Sequence, residues 1–311
     1  MVEERINPKI TVLLPVFNGG EFIAESVQSI LDQSYSNFEL LVINDGSTDE
    51  TASKLRSFKD HRLRLLENDR NLGLIATLNR GLSVARGEYI ARMDADDISL
   101  PNRLAVQNEY LDGHPEVVVV GAAFVVFGTE SVAGYPTTDS EIKIGLLDNC
   151  RFAHPTVMYR SDPIRRVGYK EGYLHAEDYR LWIDLARTSK MANLPEVLLE
   201  YRTHENQITS KNSHAMNATR RRIVGDYLGM ILGRSVSPTE MGTHMAFLGD
   251  EPRASCAELD SWIANLRVMG RENIGWEAAD FERFVAERYL RLLDRTLEYR
   301  IPRRLAEMFG K

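Results

Sequence analysis

The sequence predicts an α/β fold: a mostly parallel central sheet with helices on both faces, followed by a helical C-terminal region. Two observations carry this. Up to about residue 115, β-branched apolar runs alternate with stretches of helical spacing, the β-α-β-α rhythm of a parallel sheet. From about Asn212 onward, apolar residues recur at helical intervals alone.

The elements follow in order. Ile10–Val16 is a β-branched apolar run and reads as the first strand. Glu21–Asp32 places Ile23, Val27, Ile30 and Leu31 on one helical face. Phe38–Ile43 is a second strand. Ser47-Thr48-Asp49-Glu50 has capping-box spacing, so a helix through Phe58 should follow it. Leu63–Leu66 is a third strand, Leu74–Ala85 a helix, Tyr89–Met93 a fourth strand, and Pro101–Leu111 a helix opened by proline. Val117–Phe127 reads as a buried strand or strand pair. In the C-terminal region Ile223, Tyr227, Met230 and Ile231 share one face, and Trp262, Leu266 and Met269 another. Phe281, Val285, Arg288, Leu292 and Thr296 form a later stripe, with Phe284 and Tyr289 beside it.

Bulk properties narrow the function classes. The chain of 311 residues carries a net charge of −7, which argues against a dedicated nucleic-acid binder. Its two cysteines, Cys150 and Cys256, make neither a disulfide framework nor a zinc pattern, and a reducing compartment is the simplest reading. The N-terminus, Met1–Arg5, is charged and has no apolar core, so no signal peptide is expected. Val117–Phe127 is too short to span a bilayer. The expected location is cytoplasmic.

In a sheet of this kind the ligand sits at the C-terminal ends of the strands. The four strand-end loops are Pro15-Val16-Phe17-Asn18-Gly19-Gly20, Asn44-Asp45-Gly46-Ser47-Thr48-Asp49, Asn68-Asp69-Arg70-Asn71-Leu72-Gly73 and Arg92-Met93-Asp94-Ala95-Asp96-Asp97. They offer carboxylates, amides and an aromatic ring, which suits a nucleotide. No Gly-x-Gly-x-x-Gly follows the first strand and there is no P-loop, so a dinucleotide cofactor and a P-loop nucleotidase are disfavoured. The last loop gathers three carboxylates into four residues at a strand end. Magnesium sites commonly combine one or two carboxylates with substrate phosphates, which makes this loop a candidate metal–diphosphate site. The plainer reading is an acidic turn before a helix.

Pro15-Val16-Phe17-Asn18, Asn44-Asp45-Gly46-Ser47-Thr48-Asp49, Asn71-Leu72-Gly73, Ala85-Arg86-Gly87-Glu88-Tyr89-Ile90, Asp94-Ala95-Asp96-Asp97 and Glu177-Asp178 occur in a particular order and spacing. In this the region from Ile10 to Ser210 resembles the family 2 inverting glycosyltransferases. The resemblance implies a GT-A fold, a Rossmann-like nucleotide-binding sheet joined to an acceptor half. Residues 1–210 would be the glycosyltransferase domain, with its nucleotide-sugar half at about 1–115 and its acceptor half at about 116–210. Residues 211–311 would be a helical region outside the resemblance. The implied activity moves a sugar from a nucleoside-diphosphate sugar to a saccharide or lipid-linked glycan by single displacement. Surface polysaccharide synthesis for the cell envelope is the implied setting, and Mn2+ or Mg2+ the implied cofactor.

The resemblance also implies roles. Asp178 matches the catalytic base, which takes the acceptor's hydroxyl proton. Asp45 would accept the imide hydrogen of a uracil or thymine, with Phe17 against the ring, so UDP is expected and dTDP stays open. Pro15, Asn18, Asn71, Gly73 and Asp94 complete the donor-nucleotide set. Asp96 would bind the metal, Asp94 the ribose or the metal, and His204 would complete the metal shell. His154, Glu177 and Trp182 fall on the acceptor side, although Trp182 suits a core position better. Two alternatives stay open. A sugar-phosphate nucleotidyltransferase would need a glycine-rich basic loop where Phe17–Glu21 is acidic. A non-catalytic sugar-nucleotide-binding module would lack the base or the metal carboxylates.

The stripe over Phe281–Leu292 is flanked by Arg283, Arg288, Arg291 and Arg295, and the tail Tyr299–Leu305 adds Arg300, Arg303 and Arg304. Such stripes usually mark a core face, here with arginines paired to Glu282, Glu287 and Asp294. A peripheral contact at the inner face of an anionic membrane, or a homodimer contact, is the alternative use.

Overall fold

The computed structural model describes residues 7–204, 213–250 and 254–298. The first half runs β1 (Ile10–Val16), α1 (Ile23–Leu31), β2 (Phe38–Asn44), α2 (Thr51–Ser57), β3 (Leu63–Glu67), α3 (Leu74–Val84) and β4 (Tyr89–Arg92). Then come β5 (Ile98–Ser99), α4 (Arg103–Gly113), β6 (Val117–Val126), β7 (Val132–Ala133), α5 (Asp139–Gly145), β8 (Met158–Arg160), α6 (Ser161–Val167), α7 (Glu177–Ala186) and β9 (Lys190–Tyr201). The C-terminal helices are α8 (Ser213–Leu232), α9 (Pro238–Leu248), α10 (Cys256–Asn273) and α11 (Ala278–Glu298).

The strands form one sheet in the order β3-β2-β1-β4-β8-β6-β9-β5, with β7 against β6. β1 pairs in parallel with β2 on one side and β4 on the other, so the strand order reverses between β1 and β4. The loops after these two strands therefore flank the switch point where ligands bind in open α/β sheets. The parallel expectation holds for β1 to β4 and for the β6–β9 pair. β8 is antiparallel to both β4 and β6, and β5 is antiparallel to β9. Val117–Val126 is one long strand rather than a pair. The short strands β5 and β7 carry too few residues for a period to show.

Two starts differ from expectation. The capping box at Ser47–Glu50 does not form: Ser47 Oγ accepts from the Asn18 N–H, and α2 starts at Thr51 with Asp49 Oδ1 accepting the Thr51 N–H at 3.0 Å. The helix after Pro101 begins two residues later, at Arg103, because Pro101 and Asn102 make the turn into it.

Alternation along β1 sends Ile10, Val12, Leu14 and Val16 to one face of the sheet, against α1 and α4. Leu13 goes to the other face, where α3, α6 and α7 cover it. The C-terminal helices join that second face. Tyr227 and Ile231 of α8, Trp262 and Leu266 of α10, and Phe281, Phe284 and Val285 of α11 are all buried in the same apolar cluster. Over Phe281–Arg288 the α11 stripe is thus a core face, although Arg283 and Arg288 find other partners than those expected. Arg288 pairs with Asp148 before α6, Arg283 with Glu141 of α5, and Glu282 with Arg267 of α10. The boundary expected at 210–211, and the tail Tyr299–Leu305 with its arginines, lie outside the described residues.

Asp148 is the polar anchor of this docking. It meets Arg151 at 3.0 Å, Arg220 of α8 at 2.8 Å and Arg288 of α11 at 2.6 Å. At Gly270 of α10 a Cβ would lie 1.5 Å from the Trp276 ring, so only glycine lets that ring close over the helix. Trp276 in turn stacks on Phe281, centroids 5.1 Å apart. Among the described residues no helix is long and apolar enough to cross a membrane.

Candidate active site

The loop after β2 is a clamp between its neighbours. Asn44 Oδ1 accepts the Ser47 N–H at 3.1 Å, which closes the turn. Asn18, in the left-handed region with φ 50, donates its N–H to Ser47 Oγ at 2.9 Å and accepts the Thr48 N–H at 2.8 Å. Asp49 accepts the Gly20 N–H at 2.9 Å. Burial works to raise the Asp49 carboxyl, but hydrogen bonds from Thr51 and Gly20 hold it below its ordinary value. These contacts tie the loop after β1 to the loop after β2.

Asp45 ties in the third loop. Its Oδ1 accepts from Asn68 Nδ2 at 2.6 Å and the Leu72 N–H at 2.8 Å, and its Oδ2 accepts the Gly73 N–H at 2.9 Å. The side chain is 3% exposed. An ionised carboxylate offers about four acceptor positions, so this bonding leaves about one for a base. Asn71 Oδ1 also accepts the Gly73 N–H, at 3.0 Å. Gly46 has φ 70, and a Cβ there would sit 2.4 Å from the Arg70 carbonyl carbon. The Asp-Gly pair is what allows the third loop to press this close. Pro15 is buried in β1, just beyond the point where β4 leaves it at Leu13↔Arg92. Phe17 stands above the clamp, 47% exposed.

The acidic loop follows β4. Because β4 is central, Arg92 at its end is buried, and its guanidinium pairs with Asp94. Ser26 of α1 donates to the Asp94 carbonyl at 2.9 Å. β5 pairs antiparallel with β9 at Ile98↔Glu200, and the segments that flank this pair, 94–97 and 202–204, meet through side chains. His204 accordingly meets Asp96, Nε2 to Oδ2 at 2.9 Å, with the Phe22 ring 5.0 Å from its own. Arg202 donates from Nε to the Asp96 carbonyl and from its backbone N–H to Asp97 Oδ1. It also pairs with Glu25 of α1 and lies against the Phe22 and Phe127 rings.

Ligand atoms of Asp94, Asp96 and Asp97 lie within 4.8 Å of one another. Burial raises the Asp94 carboxyl, against the pull of Arg92. Burial, and then the charges of Asp94 and Asp96, push Asp97 well up. Asp97 is fully buried and its Oδ2 has no hydrogen-bond partner. Crowded carboxylate oxygens, one of them orphaned, beside an imidazole fit a hard divalent cation, and oxygen-rich sets of this kind suit magnesium and manganese.

Glu177 and Asp178 open α7. Asp178 Oδ1 accepts the Tyr179 N–H at 2.7 Å, and its Oδ2 accepts from the Cys150 thiol at 3.5 Å. Burial raises its carboxyl. Glu177 is more deeply buried, has an unpartnered Oε2, and is pushed up to about 7 by burial and then by Asp178. Asp178 is close enough for its charge to act on Asp94, and Arg92 acts on Glu177 and Asp178 as well as on Asp94. The charge of one buried arginine therefore reaches both the acidic loop and the α7 carboxylates, which are some eighty residues apart in sequence.

His154 and Trp182 belong to the packing beneath. Trp182 is fully buried, its ring 5.1 Å from Phe152. That is the core position, not an acceptor platform. His154 is buried and meets the Tyr169 hydroxyl at 2.8 Å, and burial pulls its pKa well down. Sequence reasoning missed Arg92, Arg202, Asn68 and Cys150. Arg92 alone carried a signal: a charged residue ending a buried run.

Residues 11–168 match the family model described as glycosyl transferase family 2, which covers half of the chain. An uncharacterized glycosyltransferase of Haemophilus influenzae is 33% identical over 232 residues, 70% of this chain and 72% of that protein. The chain belongs to glycosyltransferase family 2. This glycosyltransferase is also similar to WfgD of Escherichia coli, named a UDP-Glc:alpha-D-GlcNAc-diphosphoundecaprenol beta-1,3-glucosyltransferase. The two are 28% identical over 72% of this chain and 88% of that protein. Among solved structures, S. aureus TarS 1-349 in complex with UDP-GlcNAc matches 85% of this chain and 81% of its own, with TM-score 0.62 and 18% identity. Glucosyl-3-phosphoglycerate synthase of Mycobacterium tuberculosis, in complex with Mn2+, UDP and phosphoglyceric acid, matches 70% and 79%, with TM-score 0.54 and 19% identity. At these identities the two structures speak for the fold, which is the GT-A fold of glycosyltransferases.

Proposed function

We propose that this glycosyltransferase uses a UDP-sugar, with dTDP-sugars as the second candidate, and transfers the sugar with inversion to a glycan linked to a lipid. The setting is surface polysaccharide synthesis at the inner face of the membrane. The observation that carries the reading is the Asp94–Asp96–Asp97–His204 cluster at the switch point, with the α7 carboxylate Asp178 near enough for its charge to act on Asp94. Single displacement needs a base on the face of the sugar opposite the leaving group. Asp178, the less buried of the two α7 carboxylates, would take the proton from the acceptor's hydroxyl. Phe17 would stack on the base, and the remaining acceptor position of Asp45 favours a pyrimidine with an imide hydrogen. Asp94, Asp96 and His204 would hold Mn2+ or Mg2+, which when bound supplies positive charge to a departing diphosphate. The relative named for transfer to a diphosphoundecaprenol-linked sugar supports the acceptor class.

Calorimetry with UDP, dTDP and GDP, each with Mn2+ and with excess chelator, tests the donor half. UDP should bind in Mn2+ alone, and Asp96→Asn should remove that binding without unfolding the protein. UDP binding that is indifferent to chelator and to Asp96→Asn, or tighter binding of GDP, overturns it. A nucleotide-sugar screen then reads the product: UDP release that depends on acceptor supports transfer, and pyrophosphate formation would mean a nucleotidyltransferase.

A further inference from the structure

A cleft of about 1050 Å³ opens where α7 meets α8 and the start of α9. Four arginines line it, Arg180, Arg221, Arg222 and Arg234, with Asp226 the acidic residue among its walls and Tyr173 on one side. This is a concentration of positive charge in a chain of net charge −7. Arg180 pairs with Asp184 and Asp226, and Arg234 forks onto Glu240 at 2.6 and 3.0 Å. Arg222 differs. It lies over the Tyr173 ring, 3.9 Å from the centroid, and donates Nη2 to the Gly172 carbonyl, and among the described residues it meets no carboxylate. A guanidinium has five N–H donors, so this one carbonyl contact leaves Arg222 with donors to offer a ligand in the cleft, where Asp226 is the carboxylate it would share the wall with.

The cleft is joined to the candidate active site by α7 itself. Tyr173 precedes, and Arg180 follows, the Glu177–Asp178 pair. Two residues along a helix turn it by about 200°, and a helix is about 10 Å wide, so the cleft lies on the far side of α7 from the Asp178 carboxylate. The loop from Tyr173 to Ala176 links the two places around the helix end. An anion in the cleft would therefore lie across α7 from the base.

We infer that this cleft holds the phosphate or diphosphate through which the acceptor glycan is attached to its carrier, while the glycan reaches past the α7 N-terminus to Asp178. The inference rests on the glycosyl-transfer reading above. Arginine forks match phosphate oxygens, and the cleft depends on α8 and α9, which lie beyond the residues matched by the family model.

The test uses the full chain with Mn2+ and saturating UDP, so that the donor site is already filled. Farnesyl diphosphate should bind by calorimetry, farnesol should not, and affinity should fall with added salt. Arg222→Gln with Arg234→Gln should weaken that binding roughly 10-fold or more, the scale of one lost charge-assisted contact. Arg222→Lys, which keeps the charge, should recover part of it and guards against a folding artefact. Inorganic pyrophosphate binding as tightly as farnesyl diphosphate supports recognition of the phosphates alone, and weaker binding supports a lipid-borne group. Equal binding of farnesol, or farnesyl diphosphate binding untouched by the double substitution, overturns the inference. So does adsorption to anionic vesicles without acceptor that the same substitutions abolish, since that makes the cleft a membrane contact. A failure of UDP itself to bind strikes the glycosyl-transfer reading instead, and is seen in the first titration.

Discussion

Around Asp45 three loops are joined by hydrogen bonds from side chains to backbone and to one another, whereas α8–α11 are joined to the elements before them by apolar burial and the ion cluster at Asp148. The contrast shows what each kind of force demands of a sequence. A hydrogen bond needs a particular atom at a particular place, so Asn44-Asp45-Gly46-Ser47-Thr48-Asp49 tolerates few substitutes. Apolar burial needs volume and a face, which many sequences provide.

If the loops exist to present chemistry, the largest effect belongs to the proposed base. Asp178→Asn should lower turnover by ~100-fold or more while leaving UDP affinity in place. Burial raises this carboxyl, with hydrogen bonds from Tyr179 and Cys150 opposing it, and the base must be ionised. Activity should therefore fall with acid along a limb lying above the ordinary carboxylate pKa. Full turnover in the variant would move the base elsewhere, with Glu177 the first candidate.

The next effect tests the other region. Asp148→Ala leaves Arg151, Arg220 and Arg288 without their shared carboxylate, and breaking such a partly buried cluster should cost about 3–5 kcal/mol in urea unfolding. Burial alone would raise the Asp148 carboxyl, but Arg288, Arg151 and Arg220 hold it below its ordinary value. A folded-state pKa that is depressed gives stability present above the unfolded pKa and lost as pH falls below it. The wild-type advantage over the alanine variant should therefore shrink in acid. An unchanged midpoint at neutral pH would mean that apolar burial alone docks the helices, and would sharpen the contrast further.

A smaller effect probes the fit within the helices. Gly270→Ala forces a methyl into the Trp276 ring and should cost roughly 1–3 kcal/mol, the usual penalty for overpacking. Thermal melts of the two proteins decide this, and equal melting temperatures would show that the ring can simply move aside.

The same contrast explains what could be read in advance. β1 to β4 and their loops were legible because apolar runs alternating with helical spacing mark the strands, and the loops are what stands between. The α11 stripe was legible as a buried face, but not its partners: nothing in the sequence near Arg288 points to Asp148, 140 residues away. Asp45 shows the limit inside the legible half. Its place at the ligand edge follows from the strand pattern, yet its three internal donors come from Asn68, Leu72 and Gly73, and two of these are backbone groups that no residue type announces. Arg202 was likewise hidden, because its contacts to Asp96 and Asp97 depend on the short β5–β9 pairing, a strand of two residues leaves no period to read, and Glu25 comes from a separate helix.

Phe17 and Leu72 are each 47% exposed, and both stand on the strand-end loops. For anyone handling the protein this is a matter of storage. Two bare apolar side chains on one rim offer neighbouring copies a place to stick at high concentration, and a stacked pyrimidine would cover at least Phe17. Keeping UDP in the concentration buffer should therefore slow aggregation, visible in light scattering as a delayed onset, and Phe17→Ser should give part of the same protection with no nucleotide at all.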